Sequence, residues 1–189
     1  MLYFPYRFYL CREAYLNSPQ KFDMKNHLSS AIITLFLILG TVSIAVAQEK
    51  GKVKISGALS KPLSVDRADL KKMPRITVIR KDKNNKEHQY SGVLLSALLS
   101  AAGASTGKEL HGENLKKYVI ATASDGYQVV FALAELDSDF TDNKIILADT
   151  IDDVPLETSE GPFKIVVQND KRAARCMRQV VSLKIAIAK

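Results

Sequence analysis

Lys171-Arg172-Ala173-Ala174-Arg175-Cys176-Met177-Arg178 places four cationic side chains within eight residues, between two apolar runs at 163–167 and 180–187. Guanidinium forks grip phosphate and carboxylate with two parallel hydrogen bonds and stay charged, which a lysine ammonium does with less geometry. A loop anchored by strands on both sides suits an anion site. Arg172, Arg175 and Arg178 would be its forks, with Lys171 as a further charge. The alternative is ordinary pairing with the acidic 137–153 stretch, since charge runs commonly form solvated or internally paired faces. Tyr127 follows Asp125-Gly126 at the start of a strand. Its hydroxyl can donate to a bound oxyanion, or simply reach solvent from a half-buried ring. His88 is a candidate metal ligand or proton carrier. The competing reading is a surface hairpin histidine, because His88 and His111 stand far apart with no Cys or Glu at zinc-ligand spacing. Arg175 beside Cys176 can lower the thiol pKa, against the plainer role of a buried structural thiol. No Gly-x-Ser-x-Gly elbow, Walker-type loop or His-Glu-x-x-His helix occurs, so ordinary hydrolase or kinase machinery is missing and no catalytic residue is assigned beyond Tyr127 as a candidate.

The apolar pattern that must position these residues is dominated by strands. Residues 53–56 alternate as a short strand, and 63–65 form a second that feeds a turn of helix, capped by Asp66 and stopped by Pro74. Leu70 and Met73 would face the core. Residues 75–80 and 87–90 flank Lys83-Asn84-Asn85-Lys86, where Asn tolerates the left-handed backbone of a hairpin turn. Apolar residues at 94, 95, 98 and 99 predict a helix over 93–102 that ends at Gly103. Residues 118–122 and 127–132 pair around Ser124-Asp125-Gly126, and 133–136 is a short helical turn. Further strands are predicted at 144–148, 163–167 and 180–187, with a turn at Asp152-Asp153. The run at 163–167 is apolar enough to be covered on both faces. Strands with a few short inserted helices define an α+β class.

The 189 residues carry a formal net charge of +7. After Met24-Lys25-Asn26-His27 an apolar run over 31–47 ends in Ala45-Val46-Ala47, the layout of a cleaved secretory signal. An uncleaved anchor is the alternative. The expected division is a non-native or unstructured extension over 1–23 with translation starting at Met24, a signal peptide over 24–47 cleaved near Ala47, and one domain over 48–189. That domain is large enough for a single core. It would be periplasmic or secreted, without stable membrane insertion after cleavage. From Glu49 onward 23 basic residues face 18 acidic ones; acids crowd 125–160, and 171–189 contains none. So mixed a surface, on an exported chain, argues against a nucleic-acid partner, which would show a basic stripe with reading aromatics. Cys176 is the only cysteine beyond residue 47, so no intramolecular disulfide can form in the mature domain.

Four phrases recur in order: Tyr90-Ser91-Gly92-Val93-Leu94-Leu95, Ala123-Ser124-Asp125-Gly126-Tyr127, Gly161-Pro162-Phe163-Lys164-Ile165-Val166-Val167, and a basic tail closing on Arg178-Gln179-Val180. Together they resemble the sulfite-oxidase-like family of oxidoreductase molybdopterin-binding domains. The resemblance implies the family's mixed-sheet fold, a molybdopterin cofactor and oxidoreductase ancestry. It also implies that Lys171, Arg172, Arg175 and Arg178, with nearby backbone amides, hold the pterin and its phosphate. Tyr127 would border the substrate side, and His88 and Tyr90 would lie along the metal-binding loop. Three features depart from the family. The segment over 77–91 lacks the cysteine that ligates molybdenum, Gln168-Asn169 replaces a Pro-Gly pair, and Gln179 stands where a Trp is usual. Losing the thiolate would alter the metal's electronics. Two functions follow from the resemblance. One is an exported molybdopterin-binding oxidoreductase-like domain of unspecified substrate, served by a periplasmic redox partner. The other is a non-catalytic periplasmic binding module, on the same fold, for an anionic ligand or a protein partner.

Overall fold

Alternation along residues 52–57 turns Val53 and Ile55 inward and leaves Lys52 and Lys54 outside, so this segment forms β1 (Lys52–Gly57) with one wet face. The computed structural model describes residues 51–189; the expected extension over 1–23, the signal over 24–47 and its cleavage near Ala47 lie outside the described residues. β1 is a central strand of a five-stranded sheet. Its order is β2 (Leu63–Asp66), β1, β10 (Val180–Ile187), β5 (Lys117–Ala123), β6 (Gln128–Ala132). The β1–β10 pair is parallel, while β1–β2, β10–β5 and β5–β6 are antiparallel.

The second sheet runs β3 (Arg75–Lys81), β4 (Glu87–Leu94), β7 (Ile145–Ile151), with β8 (Val154–Pro155) and β9 (Lys164–Val167) both paired to β7. Ile165, Val166 and Val167 are fully buried, as the apolar run predicts. Ile165 and Val167 belong to the main core, which also holds Phe131, Phe163 and Leu183; Val166 belongs to a smaller cluster with Val78, Tyr90 and Ile146. Sealing each large apolar side chain contributes roughly 1.5–3 kcal/mol. Between β2 and β3, α1 (Arg67–Leu70) begins on a reciprocal cap in which the Asp69 amide donates to Asp66 Oδ1 at 2.9 Å and the Asp66 amide donates to Asp69 Oδ2 at 3.2 Å. No helix among the described residues is long and apolar enough to cross a membrane.

The helix expected over 93–102 is shorter. α2 spans Leu95–Ala101, because Val93 and Leu94 remain in β4 and pair with Leu147 and Ile146 of β7. β7 likewise runs three residues past the expected end, to Ile151, before the turn at Asp152-Asp153, both left-handed at φ 48° and 64°. Gly92 sits where the β4–β7 register slips between Ser91 and Gly92. A Cβ there would lie 2.1 Å from the Leu147 carbonyl oxygen, so the strand crossing tolerates only glycine.

Candidate functional site

The basic segment forms the connection from β9 to β10, and it folds back along β9 rather than standing free. The Ile165 amide donates to the Met177 carbonyl at 2.8 Å, the Val180 amide to Phe163 at 3.0 Å, and the Val167 amide to Cys176 Sγ at 3.4 Å. Tyr127 joins from the start of β6, its hydroxyl donating to the Ala174 carbonyl at 3.0 Å. The structure therefore brings Tyr127 to the basic loop. Its ring is half exposed, but its proton holds the loop backbone.

Arg175 is the centre of this arrangement. Its Nε and Nη2 donate to the two oxygens of Asp170, each at 2.8 Å, and Nη1 donates to Glu135 Oε2 at 2.8 Å. The guanidinium lies 5.1 Å from the centre of the buried Phe131 ring. The other oxygen of Glu135 accepts the Ala132 amide at 2.9 Å, so this carboxylate is also held in place. The Arg175 fork on Asp170 keeps that carboxyl below its usual range, and Asp170 foremost, with Glu135 behind it, raises the guanidinium's pKa.

The other basic residues go elsewhere. Arg178, a mostly exposed side chain, reaches Glu160 Oε1 at 3.4 Å, while Glu160 Oε2 pairs with Lys164. Lys171 and Arg172 are exposed and form no hydrogen bond or ion pair among the described residues. Internal pairing does occur, though with Glu135, Glu160 and Asp170 rather than with acids of the 137–153 stretch. The four cations do not line one open cradle.

His88 Nδ1 lies 2.6 Å from Asp152 Oδ2, and Nε2 lies 3.7 Å from Asp82 Oδ2, so the ring clamps the β3–β4 hairpin to the turn after β7. Asp152 is kept below the usual carboxylate range first by the Gln89 amide and then by His88. Asp82 is lowered first by the Lys86 amide. No group of His, Cys, Asp and Glu side chains arranged to hold a metal ion occurs among the described residues.

Sequence reasoning did not single out Arg80, which lies in the 77–91 segment. Its Nη1 donates to the carbonyls of Val167 at 2.5 Å and Gln168 at 3.3 Å, tying the hairpin to the end of β9. It also missed Arg75, which holds the buried carboxylate of Asp149 through bonds of 2.5 and 3.3 Å. Gln179, at the position of the family's Trp, is left-handed at φ 48° and serves as a clip. Its Nε2 donates to the Thr158 carbonyl at 2.9 Å, and its Oε1 accepts the Ser124 hydroxyl at 2.7 Å. Nothing local in the sequence signals these partners, which lie 21 and 55 residues away.

The family's metal-binding thiolate has no counterpart here, since 77–91 contains no cysteine and Cys176 turns its sulfur to the Val167 backbone; of the basic loop, Arg175 is engaged by carboxylates, while Lys171 and Arg172 have no partner among the described residues.

One mixed and one antiparallel sheet with a few short helices define an α+β domain of the sulfite-oxidase-like fold. Among solved structures, the sulfane dehydrogenase SoxCD from Paracoccus pantotrophus aligns over 75% of this chain with a TM-score of 0.56 and 20% sequence identity. The chain spans 39% of the SoxCD chain it matches. No protein-family model and no curated protein matches the sequence.

Proposed function

We propose that this chain is an exported, non-catalytic binding module on the sulfite-oxidase-like fold, periplasmic or secreted, whose partner is an anionic ligand or another protein. The observation that carries this reading is the pairing of Arg175 with both Asp170 and Glu135, in the loop where the resemblance puts a pterin phosphate. A guanidinium whose charge is already met by two carboxylates attracts a phosphate weakly, and displacing the carboxylates from it would leave them unpaired. The absence of a cysteine from 77–91 supports the same reading.

The second reading is an oxidoreductase-like domain that holds molybdopterin through Lys171 and Arg172, the two residues of the basic loop's four cations with no partner among the described residues. The fold shared with SoxCD favours it. Metal analysis of protein purified from its native compartment, with pterin fluorescence after oxidation, separates the two. The binding-module reading expects neither molybdenum, tungsten nor pterin. Stoichiometric pterin in the purified protein refutes it and establishes the second reading.

A further inference from the structure

A cleft of about 670 Å³ opens where the start of β10, α1 and the loop after β8 meet. It is lined by Arg67, Ser124, Leu156, Thr158, Gln179 and Val180 among others, and by none of Lys171, Arg172, Arg175 or Arg178. We propose that this cleft binds a small organic carboxylate with an apolar body, held by Arg67. The proposal goes beyond the preceding reading, since it holds whether or not the domain carries a pterin.

Arg75 and Arg175 each grip carboxylates, whereas Arg67 and Arg80 make no ion pair among the described residues; Arg80 spends its guanidinium on the Val167 and Gln168 carbonyls, and Arg67 borders the cleft. Its one side-chain hydrogen bond among the described residues is a long contact of 3.5 Å from Nη2 to the Pro162 carbonyl. Its Nε is shielded from solvent and has no acceptor. A shielded donor without a partner costs about 1–3 kcal/mol; Nε is closed to the cleft, so an incoming acceptor meets the terminal nitrogens, whose only hydrogen bond among the described residues is that long contact. A carboxylate offers two coplanar oxygens that match the guanidinium fork.

The walls define the rest of the ligand. Leu156, Pro162, Val180 and Val181 present apolar surface, while Ser124 and Thr158 add hydroxyl groups. Lys52 also lines the cleft and has an interaction of its own, whereas Arg67 has no counter-charge among the described residues. One such cation between apolar walls matches a monoanion better than a phosphate dianion. The volume falls within the roughly 300–1,000 Å³ typical of small-molecule sites. The wall is also held in shape: Gln179 clips the Ser124 turn to the 158–160 loop by its side chain and by a 3.0 Å bond from its amide to the Glu160 carbonyl. A ligand therefore meets a preformed surface, which lowers the ordering cost of binding.

The test is NMR titration of the full chain with benzoate and hexanoate, using benzamide, hexanamide and inorganic phosphate as comparison probes. The proposal expects saturable shifts of the Ser124, Thr158, Gln179 and Val180 amides at up to about millimolar concentration. The neutral amides should bind about tenfold more weakly, the loss expected for one charge-assisted contact. Arg67→Gln should weaken the carboxylates by a similar factor, and Arg67→Lys should recover part of the loss. Lys184→Ala, at an exposed position of β10 outside the cleft, should leave the titration unchanged. Equal binding of carboxylates and their amides overturns the proposal without reliance on any variant. So do shifts that map to Lys171 and Arg172, a preference for phosphate, or no shift at all.

Discussion

Replacing Arg175 by alanine removes three charge-assisted hydrogen bonds and one contact with an aromatic face, and leaves Asp170 and Glu135 without their cation. Were the cluster sealed from water, each bond would be worth about 1.5–3 kcal/mol. Because 32% of the Arg175 side chain is exposed, water recovers much of this, and the set contributes about 2 kcal/mol. The guanidinium over Phe131 adds about 0.5–1 kcal/mol. A total near 2–3 kcal/mol lowers the Tm of a domain this size by roughly 7–10 °C. Arg172→Ala, at an exposed side chain with no partner, should change stability by less than about 0.5 kcal/mol. Both variants can be compared by urea denaturation and calorimetry. A double-mutant cycle of Arg175→Ala with Asp170→Asn should show a coupling of about 1 kcal/mol. If Arg175→Ala proves as harmless as Arg172→Ala, the reasoning that assigns Arg175 to the architecture fails, and its fork is free for a ligand.

Arg75→Ala should cost about 3–5 kcal/mol because it strands the buried Asp149 carboxylate, whereas Arg75→Met combined with Asp149→Leu should cost less, both read from urea midpoints. Gly92→Ala should destabilise by about 3 kcal/mol, since its new methyl would collide with the Leu147 carbonyl in the β4–β7 crossing; thermal denaturation checks this. Asp170 gives a pH dependence of definite sign. Arg175 depresses its folded-state pKa below the ordinary 3.8, so its stabilisation is present above that value and is lost as pH falls through the lower, folded-state pKa. The stability gap between the native chain and Asp170→Asn should therefore be open at about pH 7 and narrow progressively below about pH 4; a gap that does not change with pH contradicts the pairing.

Much of the scaffold could be read from local pattern. Alternation located β1 and β10, the apolar run located β9, and Asp66 before α1 announced its own cap. These signals are local because a strand's exposed and buried faces recur every second residue, and a cap needs only a side chain that reaches the next turn. The start of α2 was less legible. Leu94 fits a helical stripe, yet pairing with Ile146 keeps it in β4, and that competition is settled 52 residues away. The motif glycine Gly92 was visible as part of a phrase, but its reason, the close approach of β7, appears only when the sheet is assembled.

By itself the sequence determined the α+β class, the strand-rich core and the concentration of positive charge between residues 171 and 178. Tertiary structure alone decided what those charges do. Arg175 meets Glu135 across 40 residues of chain, Arg80 meets Val167 across 87, and Arg67 is left facing a cleft without a counter-charge. The physical reason is that backbone patterning depends on near neighbours, whereas a charge pair depends on through-space distance and on local screening, both of which are set by how the sheets pack.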